Sequence, residues 1–93
     1  FLMYEAMQKV GEELGLDAET SAQLTLNTAL GAAKLALHSD QKPEVLRKQV
    51  TSPGGTTQAA IESFQAQEIE NVFRTAMSSA LNRAQEMSDD FSK

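Results

Sequence analysis

The residues best suited to chemistry lie in one short stretch, VTSPGGTTQAA, at positions 50–60. It holds two of the chain's five glycines and one of its two prolines, together with a cluster of hydroxyl side chains. Pro53 fixes one backbone angle, the two glycines after it allow positive φ, and Thr56 or Thr57 can then open a helix. The first N–H groups of that helix would face outward, with the positive end of the helix dipole behind them. The stretch therefore predicts a site for a small anion, such as a carboxylate or a phosphate.

Two other interpretations of this loop fit its residue types to different degrees. A tight turn followed by a capping threonine needs no ligand, and it stays open as the simpler alternative. A phosphate loop of the Walker type is excluded, because no Gly-Lys-Ser/Thr follows the glycines and no strand precedes them. If the loop does bind an anion, we expect one glycine to serve the turn's dihedral angles and the other to allow close approach without a Cβ.

Composition narrows the possible partners. The chain of 93 residues carries 8 basic and 13 acidic side chains, a formal charge of −5, which argues against nucleic-acid and anionic-membrane partners. It has no cysteine, which excludes disulfides, thiolate zinc sites and thiol nucleophiles and is compatible with a cytoplasmic protein. The opening FLMYEAM resembles neither a signal peptide nor a membrane span, and we expect the chain to be a piece of a longer protein.

The apolar spacing predicts an all-α fold of about five helices, because no strand-like alternation occurs anywhere. Gly15 should end the first helix and Asp17 should cap the second. Pro43 suits the first position of the third. A weak break is expected near Gln65 to Glu68, and the closing SDDFSK should fray. The predicted helices cover residues 1–14, 18–38, 43–50, 56–64 and 69–88.

The second predicted helix is the most informative about assembly. Its stretch LTLNTALGAAKLAL has apolar residues on nearly every side, and a helix that is apolar all round is buried all round. A chain of this length offers too few other helices to surround it, and its small residues leave room for another backbone. We therefore expect a partner subunit to supply the missing cover.

The motif LRKQVTSPGGTT, followed by an Ala-rich helix, resembles the signature of δ1-pyrroline-5-carboxylate reductase. YEAMQKVGEELGLDAETSAQLTLNTALGAAKLAL is similar to the two helices that precede this signature in the family, and FRTAMSSALNRAQEM to the closing helix. The resemblance covers essentially the whole chain. It implies that residues 1–93 form the family's C-terminal helical dimerisation and substrate-binding domain. That domain is interleaved with a partner subunit and similar in fold to the C-terminal domain of 6-phosphogluconate dehydrogenase. A homodimer, possibly a higher oligomer, is implied.

The resemblance also implies a reaction, an oxidoreduction that is the last step of proline biosynthesis. Hydride passes from NADPH or NADH to the C=N bond of pyrroline-5-carboxylate, giving L-proline, with the cofactor held by an N-terminal nucleotide-binding domain that this chain lacks. Without that domain the chain should be inactive. The signature loop holds the substrate carboxylate, here through Ser52, Gly54, Gly55, Thr56 and Thr57, with the N–H groups of the last three as donors. The Thr57 hydroxyl is the implied catalytic group, as a hydrogen-bond partner of the ring nitrogen. No metal is implied.

Departures and alternatives remain. The turn before the last helix commonly carries glycine in the family, whereas this chain has Gln67-Glu68. His38 fits a capping or surface role, and Asp40 either pairs with the nucleotide domain or is a solvated loop charge. A non-catalytic helical assembly module is the main competing class, and a related β-hydroxyacid or imine reductase is a weaker one. The intact TSPGGTT loop favours the reductase over both.

Overall fold

A computed structural model describes residues 1–91 and contains five helices and, within that range, no strand. This confirms the predicted all-α class. The chain divides into two compact units, the first covering Phe1–Arg47 and the second beginning at Lys48. The helices are α1 (Leu2–Glu13), α2 (Ala18–His38), α3 (Pro43–Gln49), α4 (Thr56–Ala66) and α5 (Ile69–Phe91).

The connection between α1 and α2 is built from the two residues that the sequence singles out. Gly15 has φ +113°, a conformation that glycine adopts without steric cost. Asp17 caps α2: one carboxylate oxygen accepts from the Thr20 N–H at 2.7 Å and the other from the Thr20 hydroxyl at 3.0 Å. These two hydrogen bonds, the backbone one first, lower the pKa of Asp17 below its ordinary value of 3.8. The predicted stop and cap are confirmed.

Helices α1 and α2 touch at a point where both carry small residues. A Cβ built on Gly11 would lie 2.2 Å from the Ser21 Oγ, so only glycine lets the two helices come this close. The Ser21 hydroxyl donates to the Gln8 carbonyl oxygen across the contact at 2.7 Å. Ser21 is 1% exposed and Thr25 is 5% exposed, and they are the buried residues of the described part of the chain. The hairpin is thus joined by close backbone packing and a buried hydroxyl.

No apolar side chain is buried anywhere in residues 1–91. The leucines of α2, predicted to be covered on all sides, are roughly half exposed or more, including Leu24 at 52%, Leu30 at 53% and Leu37 at 81%. Burial of apolar surface is the main favourable term in folding, so a chain with this much exposed apolar surface lacks its usual source of stability. Within residues 1–91 the apolar side chains of α2 therefore remain without full cover.

In the second unit, α4 and α5 meet at a corner formed by Gln67 and Glu68, where the sequence predicts a break. Glu68 has φ +55°, the left-handed conformation that favours glycine. The Asn71 side-chain amide donates to the Glu68 carboxylate at 3.1 Å, and the Gln67 amide donates to the Ser63 hydroxyl at 3.1 Å. Side-chain hydrogen bonds on both sides therefore hold a corner that a glycine would form without them.

The end of α5 differs from the prediction. The helix continues through Phe91 instead of ending at Ser88, so the expected fraying of SDDFSK is wrong as far as residue 91. No glycine or proline interrupts this segment, and Phe91 follows Met87 at the four-residue spacing of the apolar face. The remainder of that predicted tail, residues 92–93, lies outside the described residues.

Candidate functional site

The candidate site begins with a turn that the sequence dictates almost completely. The Gly55 N–H donates to the Ser52 carbonyl oxygen at 3.0 Å, closing a four-residue turn with Pro53 and Gly54 at its centre. Gly54 has φ +72°. Proline at the second position and positive φ at the third identify a type II turn, whose third position requires glycine or asparagine. The first glycine therefore serves the dihedral angles of the turn, as the sequence predicts.

The second glycine serves a different need. Gly55 has φ −85°, which any residue can adopt. A Cβ at this position would, however, lie 3.1 Å from the Ser52 carbonyl oxygen and 3.5 Å from the Ser52 Cβ. Ser52, at the start of the same turn, is therefore the residue that limits the space beside Gly55. An alanine at this position would press on the Ser52 carbonyl oxygen that closes the turn.

Helix α4 starts directly after this turn and has no side-chain cap. Gly55 is its N-cap residue, and this glycine makes no side-chain hydrogen bond to the first turn of the helix. The first intrahelical bond runs from the Ala59 N–H to the Gly55 carbonyl oxygen at 3.2 Å. The N–H groups of Thr56, Thr57 and Gln58 precede it and have no partner within the helix. Both threonines are exposed, so these donors are available to a ligand.

Two N–H groups of the loop have hydrogen-bond partners within the chain. The N–H of Gly55, expected to bind the carboxylate, is used in the turn by Ser52. The N–H of Gly54 donates to the Gln58 side-chain oxygen. The open donors of this region are therefore the N–H groups of Thr56, Thr57 and Gln58. Ser52 contributes its carbonyl oxygen to the turn, and its side chain is exposed beside Gly55.

Gln58 is the residue that the sequence analysis missed. Its amide oxygen accepts from the Gly54 N–H, and its amide nitrogen donates to the Glu62 carboxylate at 3.2 Å. A signal was present, because Gln58 is the third residue of α4, the position from which a glutamine or glutamate side chain reaches back to the N-terminal backbone in a capping box. The pattern is hard to recognise in the sequence, because the N-cap position is occupied by Gly55 and not by a serine or threonine.

Other sequence candidates lie away from this loop. His38 is the last residue of α2, and Asp40 follows in an exposed connection. Among residues 1–91 no group of histidine and carboxylate side chains has the arrangement of a metal site. None of the helices described for this chain combines the length and apolar character needed to cross a bilayer.

Comparison with known proteins gives a consistent result. The family model described as pyrroline-5-carboxylate reductase dimerisation matches residues 1–87. The pyrroline-5-carboxylate reductase of Pseudomonas aeruginosa is 51% identical over 89 residues, which are 96% of this chain and 33% of that protein. Pyrroline-5-carboxylate reductase 2 of Bacillus subtilis is 39% identical over 87 residues, 94% of this chain and 31% of that protein.

Solved structures agree with the sequence relatives. A pyrroline-5-carboxylate reductase from Coxiella burnetii superimposes with a TM-score of 0.89 at 46% identity, covering 92% of this chain and 32% of that one. The Plasmodium falciparum pyrroline carboxylate reductase, solved with NADP bound, gives a TM-score of 0.83 at 29% identity, covering 85% of this chain and 31% of that one. The chain thus spans about a third of the length of the relatives it matches.

Proposed function

The chain belongs to the pyrroline-5-carboxylate reductase dimerisation family, and we propose that it joins two subunits of such a reductase and binds the substrate carboxylate. The whole enzyme would reduce the C=N bond of 1-pyrroline-5-carboxylate to give L-proline. The observation that carries the substrate role is the turn at Ser52 to Gly55, which leads straight into an uncapped, exposed helix start. A cytoplasmic location stays a prediction.

The dimer follows from the apolar surface. None of the large apolar side chains within residues 1–91 is buried, and those of α2 face outward on several sides. A second copy offers the same apolar α2 surface, and closed two-fold pairing covers one such surface with another. Small residues on this helix, including Gly31 and Ala33, allow close backbone approach. Apart from the adjoining backbone of its own helix, a Cβ at Gly31 would meet no atom of residues 1–91 within 4 Å. We assign α2 to the centre of the homodimer.

The carboxylate site follows from the free donors of α4. The N–H groups of Thr56, Thr57 and Gln58 point out of the first helical turn, where the dipole favours an anion. The N-cap residue is glycine, which has no side chain to accept these hydrogen bonds. A substrate carboxylate would take the place of a capping side chain and accept two or three of these hydrogen bonds.

Residues 1–91 do not fit a nicotinamide cofactor. The dinucleotide fingerprint needs a strand, a glycine-rich turn and a helix, and the described residues contain no strand. We therefore assign the binding of NADPH or NADH to another part of the enzyme. What this chain supplies is the position of the substrate, because its turn and helix start hold the carboxylate and so fix the ring.

Thr57 has the most specific role in the proposal. It is the second residue of α4 and is exposed, so its hydroxyl is free to reach a ligand held at the helix start. We assign its hydroxyl a hydrogen bond to the ring nitrogen of the substrate, as the family motif implies. As hydride adds to the carbon of the C=N bond, the electron pair of that bond moves to the nitrogen, which must carry a proton in the product amine. A hydroxyl can serve this nitrogen as donor or acceptor.

The test uses the full-length reductase with Thr57→Ala, and with Thr56→Ala as the matched control. Losing one hydrogen bond to a charged group costs roughly 1.5–3 kcal/mol, so Thr57→Ala should lower kcat/KM about 10- to 150-fold. Thr56→Ala keeps its main-chain donor and should cost much less. Unchanged catalytic efficiency in Thr57→Ala would remove that hydroxyl from the mechanism.

A further inference from the structure

We propose that Gln58 is a positioning residue of the carboxylate site, whose neutral amide fixes the preceding turn without bringing a negative charge to the ligand. This role rests on the function proposed above, because it concerns the same helix start. The structural observation behind it is the bond from the Gly54 N–H to the Gln58 amide oxygen, which ties the turn to the first turn of α4.

The orientation of the Gln58 amide is fixed by its two partners. The Gly54 N–H can only donate, and the ionised Glu62 carboxylate can only accept. The amide oxygen must therefore face Gly54 and the amide nitrogen must face Glu62, 3.2 Å away. Gln58 is less exposed than the threonines before it, consistent with a side chain laid along the backbone.

Two hydrogen bonds hold the turn, one within it and one to the side chain of Gln58. The Gly55 N–H closes it onto the Ser52 carbonyl oxygen at 3.0 Å, and the Gln58 side chain fastens its Gly54 N–H to the helix. The three open N–H donors of α4 begin at Thr56, directly after this turn. Any movement of the turn relative to the helix would therefore alter the approach of a ligand to those donors.

The neutral amide of Gln58 and a carboxylate at the same position would affect a bound anion differently. A glutamate at position 58 could still accept from Gly54 and would suit the helix dipole. It would, however, place a fixed negative charge beside the donors proposed for the substrate carboxylate. It would also face Glu62 across one helical turn, where like charges repel. A purely structural role thus predicts that glutamate is tolerated, whereas a positioning role predicts that it weakens anion binding.

The experiment compares Gln58→Glu with Gln58→Met in the full-length reductase, with Gln65→Glu as the matched control. Gln65→Glu adds the same charge on the same helix, about 10 Å further along its axis. Kinetic constants would be measured with the substrate, and equilibrium affinities with L-proline and with L-prolinamide, which lacks the carboxylate. Circular dichroism and size-exclusion chromatography would establish that each variant keeps its helices and its dimer.

We expect Gln58→Glu to raise KM and weaken L-proline binding about 10-fold at low salt, with a smaller effect at high salt and kcat nearly unchanged. L-prolinamide should not be weakened. Gln58→Met removes the acceptor without adding charge, so it should weaken both ligands about 2- to 10-fold through a looser turn. Gln65→Glu should leave both affinities unchanged.

The inference is overturned if Gln58→Glu binds L-proline as tightly as the unmodified enzyme, or if it weakens L-prolinamide equally. The failure of the wider proposal would look different. If Thr57→Ala and Gly55→Ala also leave kinetics and L-proline affinity unaltered, the loop is not the carboxylate site at all. If those two variants are impaired while both Gln58 variants are not, only the role of Gln58 is lost.

Discussion

The contact between α1 and α2 makes a sharp prediction about stability, because Gly11 faces a buried hydroxyl. Replacing Gly11 with alanine places a Cβ 2.2 Å from the Ser21 Oγ, so the hydroxyl must leave its position. It then loses its hydrogen bond to the Gln8 carbonyl oxygen, which is 2.7 Å long in the structure. Gly11→Ala is a small chemical change, but we expect it to destabilise the hairpin of α1 and α2.

The magnitude follows from three effects. Alanine in place of glycine inside a helix stabilises by about 1 kcal/mol. The lost hydrogen bond costs about 1 kcal/mol, and the forced repacking costs about 1–3 kcal/mol. Gly11→Ala should therefore destabilise by about 1–3 kcal/mol. Ser21→Ala removes the clashing atom, and the nearest remaining contact is then the 3.3 Å approach to the Cβ of residue 21. The double variant should recover most of the loss.

The assay is a double-mutant cycle, measured by urea unfolding followed by circular dichroism at one fixed protein concentration. We expect a favourable coupling of about 2 kcal/mol between positions 11 and 21. If Gly11→Ala is as stable as the unmodified chain, or if Ser21→Ala rescues nothing, the packing described for this hairpin is wrong.

Three further predictions concern the site, the dimer and the helix cap. Gly55→Ala should weaken L-proline binding in the full-length enzyme with helix content and dimer intact, because its Cβ would sit 3.1 Å from the Ser52 carbonyl oxygen; unaltered affinity would make the loop only a turn. Ala33→Glu should give monomers or aggregates in size-exclusion chromatography, and a stable, well-folded monomer of the unmodified chain at micromolar concentration would contradict the assigned interface. The folded-state pKa of Asp17 is lowered, so its stabilising effect is full above about pH 4 and disappears as pH falls further. Asp17→Asn should flatten that acid limb in unfolding curves between about pH 5 and pH 2, and an unchanged slope would count against the cap.

Sequence reasoning succeeded where a single residue decides the local geometry. Gly15, Asp17 and Pro43 end or start helices for reasons of backbone sterics and capping that act within a few positions, and each has its predicted place. The turn at Pro53 and Gly54 follows from the same local rules. The family resemblance added the chemistry that such rules cannot supply.

Sequence reasoning leaves the partner open where one group has several candidates. The N–H of Gly55 could serve a ligand or its own turn, and in the structure it donates to the Ser52 carbonyl oxygen. The contact between Gly11 and Ser21 depends on which faces of two helices meet, which periodicity leaves open. Glu68 has a backbone conformation that is uncommon without glycine, and its hydrogen bond with Asn71 is not visible in the local pattern.

The absence of buried apolar side chains within residues 1–91 has a thermodynamic consequence. The heat-capacity change of unfolding comes mainly from hydrating apolar surface, so in the proposed homodimer it belongs to the separation of two chains more than to the unfolding of one. Dilution should then favour dissociation and unfolding, and the melting temperature should rise with protein concentration. The free energy of unfolding of such a chain has meaning only at a stated protein concentration.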